Sequence, residues 1–124
     1  SVQHSHIDFT DSLIGSATAP EDREFILWGV MTESGRVKRA DYGGVYNGFD
    51  VRADMDKVTC PVLVLRGGED WTIRDEAFQP MLNRLTNAKH VQYTVLPGIA
   101  HYNPQEAPQL VCDTILEFLK KVEA

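Results

Sequence analysis

The feature that most constrains this chain is a pair of short apolar runs, each closed by a glycine turn, with one amphipathic helical stripe between them. The first, Cys60-Pro61-Val62-Leu63-Val64-Leu65, is partly β-branched and bounded by Gly67-Gly68, as expected of a strand buried on both faces of a parallel sheet. Pro61 fits only at its first residues, because proline cannot donate to the ladder. The second run, Val91 to Leu96, alternates in character and is broken by Pro97-Gly98. Between them Phe78, Met81, Leu82 and Leu85 recur at i, i+3, i+4 and i+7, predicting a helix that ends near Asn87 and whose regularity Pro80 limits. Val111, Ile115, Phe118, Leu119 and Val122 form one face of a terminal helix. Strand, helix, strand, helix with connections of this length is an α/β arrangement built on a right-handed parallel crossover. Two strands do not cover their own edges and faces, so a further polypeptide segment is expected to complete the sheet.

Upstream of this unit the pattern is weaker. Residues 1 to 17, with His4, His6, Asp8 and Asp11, show no sustained period and read as an irregular lead-in rather than as a metal site. Thr18-Ala19-Pro20-Glu21 reads as a helix start, Thr18 as N-cap and Glu21 completing a capping box. The helix that follows carries Phe25, Ile26, Leu27, Trp28, Val30 and Met31 around more than one face, which predicts burial on two sides or a pocket-lining role, and Gly35 with the basic run after it is expected to end it. Arg36-Val37-Lys38-Arg39 reads as a solvated turn, and Asp41 to Asp54 as loop or short helical turns.

Composition narrows the function classes. With 43% hydrophobic and 24% charged residues in 124, the chain is of globular type, and a net charge of −6 argues against a nucleic acid or an anionic membrane as partner. No stretch approaches the roughly 18 apolar residues of a membrane helix, and no targeting signal is visible, so a cytoplasmic location is the default expectation. Cys60 and Cys112 are read as separate buried thiols, neither bridged nor spaced for zinc.

The chemistry-bearing residues stand at the C-terminal ends of the two predicted strands, where ligand sites of open α/β sheets lie. They are Gly67-Gly68-Glu69-Asp70 and Pro97-Gly98-Ile99-Ala100-His101. A carboxylate and an imidazole on neighbouring strand ends can serve as acid and base of a nucleophilic triad, the acid fixing the imidazole tautomer. Phe49 to Val58, then Cys60 to Leu65 with the turn to Asp70, resembles the approach to the acid turn of α/β-hydrolases. Asn87-Ala88, the second strand, the Pro97-Gly98 turn into His101 and the terminal helix resemble that family's histidine loop and last helix.

The resemblance covers residues 49–124, the C-terminal part of the hydrolase core, and leaves 1–48 as a cap and linker region. It implies Asp70 as triad acid and His101 as general base, with Glu69 a near neighbour, and no cofactor or metal. Trp71 and Tyr102, each beside a proposed catalytic residue, are candidates for lining the substrate pocket or for packing the sheet top, and Trp28 is a candidate on the cap. Two departures stand out. Ala100 occupies the place where the family commonly has glycine before the histidine, and no G-x-S-x-G elbow or glycine-rich oxyanion loop occurs in the sequence. The nucleophile and oxyanion hole are therefore expected from an N-terminal segment or separate chain, this one being a C-terminal fragment, a cleaved subunit or half of a two-chain enzyme. The implied reaction is hydrolysis of an ester or related acyl bond of a small molecule; acyl transfer, and dehalogenase or epoxide-hydrolase chemistry on an aspartate nucleophile, share the fold. The alternative from another class is a non-catalytic binding or regulatory domain on the same scaffold.

Overall fold

A computed structural model describes residues 2–40, 43–44 and 48–123. In chain order it contains helices α1 (Val2–Asp11), α2 (Pro20–Thr32) and α3 (Gly35–Ala40), a 3-10 turn (Arg52–Lys57), strand β1 (Val62–Gly67), α4 (Asp75–Leu82), strand β2 (Val91–Leu96), α5 (Asn103–Glu106) and α6 (Pro108–Glu123). The strands pair in parallel, Val62 opposite Val91 and Gly67 opposite Leu96. Strand β1 begins at Val62 because Pro61 has no N–H to give; the Val62 N–H donates to His90 O at 2.8 Å.

Alternation along the strands sends successive side chains to opposite faces, and a helix covers each. On one face Phe78 of α4 stacks on Tyr93 with ring centroids 5.2 Å apart. On the other, Val111 of α6 packs with Leu96 and Ile99 in a buried cluster that Leu65 and Ala107 extend. The result is a small parallel sheet between helices, in an α/β layering. Strand β1, expected to be buried on both faces, is only half-buried over most of its length. Among the described residues its sole partner is β2, so its outer edge has no covering strand.

The N-terminal part departs most from expectation. Residues 2–11 are helical rather than irregular, although no apolar stripe marks them. The helix is held at its C-terminal end: Thr10 is buried, Leu13 and Ile14 just beyond it are buried too, and Asp11 pairs with Arg23 of α2 at 2.6 Å. Anchoring by tertiary contact has overridden weak local preference. The predicted capping box at Thr18 does not form either. Ala19 is the N-cap of α2 with no side-chain cap bond, and the Thr18 hydroxyl turns inward to donate to Glu106 Oε2 at 2.8 Å. Gly35 opens α3 instead of ending α2, with Ser34 Oγ accepting the Val37 N–H at 3.3 Å, so the basic run is helical rather than a turn.

Of the α2 side chains expected to be packed on two sides, Ile26 alone is fully buried, while Phe25, Trp28 and Met31 are more than half exposed. Within the stretch predicted as irregular, residues 41–42 and 45–47 lie outside the described residues, and Arg52 to Asp54 join the 3-10 turn. Cys60 and Cys112 are free, but exposed rather than buried. Cys112 is one step round α6 from the buried Val111 and so faces outward.

Candidate active site

The turn after β1 and the loop after β2 are laced together by main-chain hydrogen bonds that prolong the parallel ladder. Gly68 N–H donates to Leu96 O at 2.8 Å, and Glu69 N–H to Ile99 O at 2.9 Å. The backbones approach so closely that a Cβ on Gly67 would lie 2.0 Å from the Ala100 carbonyl oxygen, which restricts the position to glycine. Gly98 has a φ of 73°, the left-handed turn that bends the chain out of β2. No described residue other than glycine has positive φ, so Ala100 sits in ordinary backbone geometry and glycine is not required before the histidine.

This lacing sets Asp70 and His101 side by side. Asp70 Oδ2 lies 3.0 Å from His101 Nδ1, and Asp70 Oδ1 accepts from the Thr72 N–H at 2.9 Å and the Thr72 hydroxyl at 2.6 Å. The acid is 8% exposed. Burial pushes its carboxyl up, but the Thr72 hydroxyl, His101 and the Thr72 N–H together hold it below the ordinary aspartate value. Arg66 fastens the turn from beneath, its guanidinium donating to the carbonyls of Asp70 and Ile73 at 3.0 Å each. A carboxylate on Nδ1 selects the tautomer that carries its proton there and leaves Nε2 as the basic nitrogen. Among the described residues none hydrogen-bonds Nε2, and the side chain is 40% exposed.

The structure separates the other residues singled out from the sequence. Glu69 points away from the pair, accepting from the Ser16 N–H at 2.7 Å and the Ser16 hydroxyl at 2.5 Å. Tyr102 presents its ring edge-on to the imidazole, centroids 5.3 Å apart. Trp71 is half exposed, donates from Nε1 to Ser12 O at 2.9 Å and meets the Phe9 ring edge-on. It borders an open depression of about 660 Å³ shared with Asp70, Arg66 and Arg74, whose lining includes neither His101 nor Tyr102. Trp28 lines shallow hollows formed by α2 itself, without Asp70 or His101. The structure thus brings Asp70, His101 and Tyr102 together, sets Trp71 behind the acid turn, and leaves Trp28 apart.

Sequence reasoning missed two contributors. The residues between α1 and α2 reach the site, with Leu13 O accepting the His101 main-chain N–H at 3.0 Å and Ala17 N–H donating to Gly98 O at 2.9 Å. Glu106 is the second: 3% exposed, it accepts hydrogen bonds from both sides of the histidine loop. A lone glutamate in a short polar stretch gives little signal, though its spacing after His101 within a Pro-flanked turn was visible. Among the described residues no group of three or more His, Cys, Asp or Glu is arranged to hold a metal ion, and no helix is long and apolar enough to cross a membrane.

The chain is similar in structure to bromoperoxidase from Bacillus anthracis, seen in a crystal structure, with a TM-score of 0.74 over 97% of its length at 17% identity. The fold is therefore the α/β-hydrolase fold in part. The chain spans only 44% of that bromoperoxidase. No family model matches the sequence, and no curated protein matches it. The likeness fits a C-terminal portion of the α/β-hydrolase architecture, a small parallel sheet with flanking helices.

Proposed function

We propose that this chain supplies the acid and base of an α/β-hydrolase acting on an ester or related acyl bond, the nucleophile coming from a segment that precedes it or from a separate chain. The observation that carries this reading is the 3.0 Å approach of Asp70 Oδ2 to His101 Nδ1 at adjoining strand ends, on a histidine whose side chain is 40% exposed. In the assembled enzyme a hydroxyl or thiol attacks the carbonyl carbon while His101 Nε2 takes its proton. The tetrahedral intermediate collapses as His101 returns that proton to the leaving alcohol, and water then repeats the cycle on the acyl-enzyme. Asp70 holds the tautomer and stabilises the imidazolium. Tyr102 packs T-shaped against the ring, and Tyr102 and Trp71 are the candidate substrate contacts beside the pair. The nucleophile and the oxyanion donors would come from that preceding segment or separate chain, and no cofactor is called for.

The test is to isolate the native protein and identify by intact mass any polypeptide that accompanies this chain, then to assay the assembly on a short-chain chromogenic ester. Turnover abolished by His101→Ala supports the reading. A folded protein that carries no nucleophile-bearing segment, or turnover indifferent to His101→Ala, overturns it in favour of a binding domain on a hydrolase scaffold.

A further inference from the structure

The buried carboxylate of Glu106 takes no part in the chemistry just described, and its surroundings are unusual. Its Oε2 accepts from the Gly15 N–H at 2.8 Å, the Thr18 hydroxyl at 2.8 Å and the Ala100 N–H at 3.0 Å, while Oε1 accepts from the Tyr102 N–H at 2.8 Å. A carboxylate is an acceptor-only group with room for about four donors, so the match is complete. No cation pairs with it among the described residues; its charge is met by main-chain and hydroxyl dipoles alone.

Two of the donors, Ala100 and Tyr102, are the immediate neighbours of His101, and the other two belong to the segment between α1 and α2. The same segment accepts the His101 main-chain N–H at Leu13 O. Thus the peptide on each side of the histidine is tied to one buried side chain, and the histidine's own peptide is tied to the segment that this side chain also holds. The approach is tight: a Cβ on Gly15 would lie 2.2 Å from Gly98 O. A loop fixed at three successive N–H groups has little freedom to carry the imidazole away from Asp70.

We infer that Glu106 is a positioning residue that sets the His101 imidazole against Asp70, by clamping the histidine loop to the Gly15–Thr18 segment. This rests on the hydrolase reading for its consequence in turnover, but the geometry it asserts is observable without turnover. The clamp also gives the cap and linker region a direct hold on the base, because any movement of residues 15–18 must break bonds to the carboxylate that seats the histidine.

The test is Glu106→Gln in the native assembly. Glutamine keeps the size and one acceptor oxygen but places an amide NH₂ against at least one of the four donors. The readouts are far-UV circular dichroism for folding, the downfield proton resonance of the His101 Nδ1–H bonded to Asp70, and kcat and KM for an ester. The expected result is a folded protein whose Nδ1–H line is broadened or lost, with kcat lower by about 100-fold, the effect of a misplacement of about 1 Å, and KM within about twofold. A folded Glu106→Gln protein with an unmoved Nδ1–H line overturns the inference whatever its activity. If that variant does not fold, Thr18→Val removes one donor from the same oxygen while keeping the side-chain shape. A shifted line then supports the clamp, and an unchanged one overturns it. Turnover that survives His101→Ala sinks the hydrolase reading separately, and the resonance alone then decides on the clamp.

Discussion

That Asp70 and His101 stand together was legible in the sequence because glycine turns that close apolar runs mark where strands deliver their side chains. What the sequence did not disclose was how each is held. Thr72, which gives Asp70 two hydrogen bonds, and Glu106, which gathers four donors, act mostly through main-chain groups that leave no residue pattern. On the hydrolase reading, Asp70→Asn is expected to lower ester turnover by about 10⁴-fold while leaving the fold intact, because the amide no longer selects the Nδ1-protonated ring. The Asp70 carboxyl is held below its ordinary value, so the ionised form is favoured in the fold. Its contribution to stability is present above the unfolded aspartate value and is lost as pH falls through the lower, folded one. Acid titration of wild type against Asp70→Asn, followed by denaturant unfolding, is expected to show the two stabilities converging only in that acidic window. Tyr93 runs the other way: burial, then its bond to Asp75, pushes the phenol up to about 12. Its contribution is complete below the unfolded tyrosine value near 10 and disappears as pH rises through about 12. Phenolate absorbance is expected to contain one late-titrating component that Tyr93→Phe removes.

At the level of elements, those of strong period came out in the order read, both strands, the crossover helix α4 and the terminal helix α6, although α4 ends at Leu82 and not near Asn87 as its apolar spacing predicts, its last turn capped at Asn83. Those defined by contact rather than by pattern did not. Helix α1 carries no apolar stripe and is fixed by what its C-terminal end buries, and the Thr18 hydroxyl serves the buried Glu106 instead of the helix end beside it. The exposed apolar residues of α2 misled for a related reason: the pattern says a face is apolar without saying what meets it. The junction between β1 and the histidine loop offers the clearest test at this scale. Gly67→Ala would drive a methyl into the Ala100 carbonyl, so a loss of about 1–3 kcal/mol is expected from overpacking. Urea denaturation measures the loss, and the His101 Nδ1–H line is expected to move with it, since the methyl displaces the peptide next to the histidine.

For the molecule as a whole, an α/β architecture was readable from the order of the elements; that further strands complete the sheet is an expectation that a measurement has to test. Among the described residues the sheet ends at β1 and β2 on either side, and large apolar side chains such as Phe25, Trp28 and Phe49 stand in solvent. An open strand edge is a template for pairing with another chain. The chain by itself is therefore expected to self-associate in light scattering coupled to size exclusion, and addition of a segment that supplies the neighbouring strands is expected to convert it to a defined complex. A monodisperse monomer at all concentrations would contradict this.

The bond from Gly15 to Glu106 spans 91 positions. Closing so long a loop is entropically costly and comes after local structure has formed. On the ribosome, the segment around residue 15 emerges long before its carboxylate partner is made. The histidine's seat thus closes only once Glu106 has been made, whereas α1 can already be held by the Asp11–Arg23 pair. A chain stalled before that closure would hold its local elements and leave His101 unseated.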